Sequence, residues 1–129
     1  DFWNEWRAIQ QESNSVDIVG FNINNFDLPF LTTRSLIHNV VISPFLIKSI
    51  TDLREKINAY RYGKSRGKLK DFATLMELSV KGMDGGDIAN LWIEKKYDVI
   101  KEYLINDLEI TDEIFKRARN TKIIHINKW

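Results

Sequence analysis

The stretch VDIVGFNINNFDLPFL, residues 16–31, constrains the fold more than any other part of the chain. Its β-branched start suits a buried strand, and Gly20 allows a neighbouring backbone to approach closely. The polar NINN then makes a connection. After it, Leu28, Phe30, Leu31, Leu36 and Ile37 form the apolar stripe of a second helix, in which Pro29 is tolerable only within the first turn. Asp27 is thereby carried from the end of a buried strand to the start of an apolar helix. Burying a carboxylate is costly unless something compensates it. Asp27 is therefore either a helix cap or a ligand for a hard cation.

The flanking segments read as mixed helix and strand. Phe2, Trp3, Trp6 and Ile9 fall at helical spacing over residues 2–12, and the two tryptophans read as core. VVISPFLI is apolar and broken by Pro44, SITDLREKINAY (49–60) is compatible with a helix, and RYGKSRGKLK (61–70) reads as an exposed basic loop. LKDFATLMELSV (69–80) is either a strand turning into a helix or one short helix, and KGMDGGD is a turn. From Asp87 onward a helix pair or one interrupted helix is predicted. Its clearest part is residues 96–120, where Ile100, Tyr103, Leu104, Leu108, Ile114 and Phe115 recur at three and four. KIIHI (122–126) reads as a short strand.

Composition narrows the function classes. The 129 residues fit one domain, with 43% hydrophobic and 29% charged residues and a formal charge of +1. That charge carries no global signature of nucleic-acid binding, so a polyanion has to be met locally. The absence of cysteine removes disulfides, thiolate catalysis and cysteine-ligated zinc. No apolar run approaches the roughly 20 residues that span a bilayer, and no signal peptide opens the chain, so a cytoplasmic location without membrane contact is expected. His38 and His125 have no partner at metal-ligand spacing. GKS at 63–65 fails as a phosphate loop because Asn58 stands where its first glycine is needed.

Tyr103 and Asp107 are four residues apart on the long predicted helix, so a phenol and a carboxylate share one face beside the apolar stripe. Read alone, such a pair is more often a buried tyrosine with a capped or solvated acid. Read with Asp27, it supplies a second hard ligand for Mg²⁺ or Mn²⁺. The run Arg61, Lys64, Arg66, Lys68 and Lys70, interleaved with Tyr60 and Tyr62, either grips a phosphate backbone or is a solvated loop.

VGFNINNFDLPFL resembles the second exonuclease motif of family B DNA polymerases and their stand-alone relatives, and YLIND resembles the third. These are motifs of the tyrosine branch of the four-carboxylate (DEDD) 3′–5′ exonucleases. The resemblance implies an α/β, RNase H-like fold, a mixed sheet flanked by helices. It makes residues 1–129 a single partial exonuclease domain. It also implies that Asp27 and Asp107 ligate Mg²⁺ or Mn²⁺, two ions in a complete site, and that Tyr103 positions the attacking water. Asn22 would contact the terminal nucleotide. Phe26 reads as core, with a wedge at the last base as the alternative. The substrate implied is single-stranded DNA or a DNA 3′ end, with RNA as the alternative polymer. The first motif, Asp-x-Glu on an early strand, has no counterpart before Val16. The leading strands are therefore expected from a missing N-terminal segment or another chain, and these residues alone are expected to be catalytically incomplete. The remaining alternative is a non-catalytic nucleic-acid or protein-binding module that keeps the fold.

Overall fold

The computed structural model describes residues 2–13, 15–60, 67–82 and 85–127. It is a mixed helix and strand structure with elements in the order α1 (Phe2–Glu12), β1 (Ile18–Gly20), α2 (Asp27–Ile37), β2 (Ile50–Asp52), α3 (Leu53–Ile57), α4 (Leu69–Leu75), α5 (Ile88–Ile93) and α6 (Tyr97–Asn120). Three 3-10 turns, Ile47–Ser49, Gly85–Asp87 and Ile123–His125, join or end them.

Among the described residues the sheet is two parallel strands, not the mixed sheet expected. Ile18 pairs with Ile50, Val19 with Thr51 and Gly20 with Asp52. The strand expected at KIIHI is instead the turn Ile123–His125, entered through Lys122 in the left-handed region at φ 65°. Its β-branched residues pack Ile123 and Ile124 onto the core without any ladder. The segment 49–60, compatible with a helix, divides: Ile50–Asp52 joins the sheet and only Leu53–Ile57 is helical.

The core gathers around Leu53, Ala73, Ile110, Ile114 and Ala118, with Val19, Phe21, Phe72 and Phe115 against it. Helix α6 buries Asn106, Ile110, Ile114 and Ala118, one residue per turn, so its inner face is a narrow line. Asn106 ties the chain before α5 to that line, accepting from the Lys81 N–H at 3.0 Å and donating to the Ser79 carbonyl at 3.3 Å. A second cluster holds α1: Trp3 stacks on Phe45 at 6.1 Å, and its indole N–H donates to Ser35 Oγ on α2 at 2.8 Å. Among the described residues no helix is long and apolar enough to cross a membrane.

Leu53 is fully buried at the junction of β2, α3 and the core. Truncation leaves a cavity that the flanking short elements cannot fill. Leu53→Ala is expected to lower unfolding stability by about 2–5 kcal/mol, read from the shift in the urea midpoint.

Candidate functional site

The chain leaves β1 through a tight turn whose geometry is set by one buried carboxylate. Asn22 is left-handed (φ 61°), a conformation asparagine tolerates. The Asn22 carbonyl accepts from the Phe26 N–H at 3.1 Å, and the Ile23 carbonyl from the Leu28 N–H at 3.1 Å. Asp52, only 2% exposed, faces this turn from the end of β2. Its Oδ1 accepts from the Asn22 N–H at 2.8 Å and the Arg54 N–H at 3.0 Å, and its Oδ2 from the Asn24 N–H at 3.1 Å. Gly20 lies opposite Asp52 in the ladder, and a Cβ there would meet Ile23 at 2.8 Å. The glycine is what lets the turn fold back over its own strand.

Asp27 emerges from this turn as the first residue of α2, whose N-cap position is Phe26 with no side-chain capping bond. Partial burial raises the Asp27 pKa, its own backbone N–H opposes this, and the nearby Asp52 charge adds to the rise. Asn22 presents its side chain beside the turn, accepting from the Asn25 amide at 3.4 Å. Phe26 is not core: it is 64% exposed and lies parallel to Phe30, also exposed, with ring centroids 6.3 Å apart. Leu28, 4% exposed, takes the inward position instead.

Tyr103 and Asp107 come together as their spacing on α6 requires. The tyrosine hydroxyl bonds to the Asp107 carboxylate, and Lys70 in the first turn of α4 faces both groups. The Lys70 ammonium lies 5.2 Å from the Tyr103 ring centroid. Burial raises the Asp107 pKa, outweighing the opposing effects of Lys70 and of the Tyr103 hydroxyl. Gly85 approaches the same hydroxyl, since a Cβ there would lie 3.9 Å from Tyr103 Oη.

The two halves share a core. Phe21, directly after β1, meets Phe72 of α4 edge-on at 5.7 Å, and both rings pack on the cluster that contains Ile110 and Ile114. Asp27 has Asp52 as its charged neighbour, while Asp107 has Lys70 and Tyr103. Among the described residues no group of three or more histidine, aspartate or glutamate side chains is placed to hold a metal ion. Of the basic run, Arg61, Lys64 and Arg66 lie outside the described residues. Lys68 is exposed at the start of α4, where its backbone N–H donates to Asp71 at 2.7 Å.

Asp52 is the residue that the sequence reading missed. Its signal was an aspartate directly before the helix-forming LREKI, an N-cap pattern.

Residues 2–61 match the model of a family described as a predicted 3′–5′ exonuclease related to the exonuclease domain of PolB. The match spans just under half of the 129 residues. It covers Asn22, Phe26, Asp27 and Asp52 and stops short of Tyr103 and Asp107. No curated protein and no solved structure gave a match.

Asp52→Asn keeps the shape but turns an amide donor toward backbone donors. A loss of about 2–4 kcal/mol is expected, with faster hydrogen exchange at the Asn22 and Asn24 amides measured by NMR. For Asp27 and Asp107, a raised pKa means that the folded state binds more protons than the unfolded one. Their contribution to stability is therefore best below the ordinary carboxylate range and is lost as pH rises through the raised values. Denaturation across about pH 3 to 7 should show this downward slope flattened in Asp27→Asn and in Asp107→Asn relative to wild type.

Proposed function

We propose that the chain carries part of a metal-dependent 3′–5′ exonuclease that hydrolyses phosphodiester bonds at DNA 3′ ends. The observation that carries this reading is the turn in which Asp52 presents Asp27, lying within the segment that matches the PolB-related family. The Tyr103–Asp107 pair on α6 supports it independently, because a hydroxyl bonded to a half-buried carboxylate is suited to orienting a water. An RNase H-like architecture is the fold this reading requires. The parallel β1–β2 pair, with α6 packed on the same core, is compatible with it.

In this reading Asp27 and Asp107 each offer carboxylate oxygens to Mg²⁺ or Mn²⁺, two ions in a complete site. Bound divalent ions would supply an activated water and neutralise charge on the leaving 3′ oxygen. The chain's own side chains do the rest. Tyr103 has its proton committed to Asp107, so its lone pairs remain to accept from the attacking water. Asn22 contacts the terminal nucleotide, and exposed Phe26 stacks on or wedges against the last base. Arg61, Lys64, Arg66 and Lys68 meet the phosphate backbone.

Two carboxylates fall short of what two mutually repelling dications need. The reading therefore includes a further acidic strand, contributed by another segment or another chain, pairing beside β1. Parallel strands are rarely stable as an isolated pair, and an open edge of this kind accepts such a strand. A ribonuclease acting through the same carboxylates is the alternative, since this site holds phosphate and does not itself sort sugars.

The native-length protein should shorten 5′-labelled single-stranded DNA stepwise from its 3′ end with Mg²⁺ or Mn²⁺, and matched RNA less readily. Asp27→Ala or Asp107→Ala should abolish shortening, and Tyr103→Phe should slow it by about 10²-fold or more. Unchanged shortening in Asp107→Ala would sink the assignment.

A further inference from the structure

Beside β2 lies a cavity of about 660 Å³ that contains none of the residues assigned above to metal or water. Its wall includes Lys56, which is only 9% exposed. A buried ammonium requires compensation. Here it donates to the Ile126 carbonyl and lies 5.0 Å from the Tyr60 ring centroid. Among the described residues no carboxylate pairs with it. Glu55 also borders the cavity, and no ion pair joins it to Lys56 or to the second lining ammonium, Lys48. Two cations thus face one carboxylate around a space that an anion can enter.

The cavity is far larger than a phosphate ion and has a second character. Ile50 and Tyr60 give it an apolar and aromatic wall. Asn24 and Asn127 add polar side chains to its border. Volumes of about 300–1,000 Å³ with a few convergent polar groups are typical of small-molecule sites.

We propose that this cavity binds a nucleoside phosphate. The phosphate lies against Lys56 and Lys48, and the base lies along Tyr60 and Ile50. The ligand is either a free mononucleotide or one nucleotide of a single strand. This site stands apart from the Asp27 and Asp107 reading and does not depend on it.

The test is an NMR titration of the intact chain, following the amides of Thr51, Tyr60 and Asn127, with dAMP, with deoxyadenosine, with inorganic phosphate and with a short single-stranded oligonucleotide. Saturable shifts are expected with dAMP or the oligonucleotide, weaker ones with phosphate, and none with deoxyadenosine. Response to dAMP alone identifies the free mononucleotide, and tighter binding with increasing oligonucleotide length identifies the strand. Exposed Lys48→Ala should weaken binding roughly tenfold without disturbing the fold. Lys56→Met should abolish it and Lys56→Arg should restore it. Binding by deoxyadenosine equal to that by dAMP, an unaltered affinity in Lys48→Ala, or no shift at these amides with either nucleotide ligand overturns the proposal. Asp107→Ala should leave these shifts intact, so loss of nuclease activity and loss of this site are separately readable.

Discussion

The acceptor capacity of one buried carboxylate holds the first half of the molecule together. Three backbone N–H groups, from Asn22, Asn24 and Arg54, offset the burial of the Asp52 carboxylate. Each of these bonds joins a different structural requirement. The Arg54 bond starts α3, and the Asn22 and Asn24 bonds shape the turn between β1 and α2. The strand ladder brings Asp52 to that turn, and Gly20 leaves room for it. The Asp52 charge also reaches Asp27 and adds a lesser part to the penalty for ionising it, after burial. The group that builds the turn therefore adds to the effect of burial, the larger cause of the raised pKa, on the residue the turn presents.

The second half is organised around α6, a helix whose inner face is one residue per turn wide. So narrow a face leaves apolar side chains over. Leu104 and Leu108 are 56% and 60% exposed, and Leu36 on α2 is 82% exposed. Single exposed leucines are ordinary, but here they accompany a parallel strand pair, an arrangement normally covered on both faces. Under the proposed function an added strand beside β1 would extend the sheet and give these helices more surface to pack on.

How much of this was legible in the sequence depends on whether an element carries its own periodicity. Helix α1 and the start of α2 were readable closely, since apolar spacing and the first-turn rule for Pro29 leave little freedom. The long helix was readable in extent but not in phase. Its apolar residues cover a broad arc, and only packing selects Asn106 and Ala118 for the inside over Leu104 and Leu108. Strand β2 was not readable, because three residues followed at once by a five-residue helix show neither period. The same brevity hid Asp52, whose role arises from a strand pairing made across some 30 positions of sequence. Ile123 and Ile124 had strand propensity but lie on the core, where burial alone satisfies them. Phe26 was misplaced because hydrophobicity signals burial only on average, and Leu28 already fills the inward position.

The Tyr103–Asp107 pair shows why chemistry is harder to read than helices. A four-residue spacing says that two groups meet, not which way the proton lies between them. In the folded chain the phenol donates to the carboxylate, and the Lys70 ammonium near the ring works with that bond to favour the ionised form of Asp107 against the larger effect of burial. Tyr103 therefore has no spare proton to give a leaving group, and its oxygen keeps only acceptor capacity toward solvent. Under the proposed function that would restrict the tyrosine to orienting a water, and leave protonation of the departing oxygen to groups outside this pair.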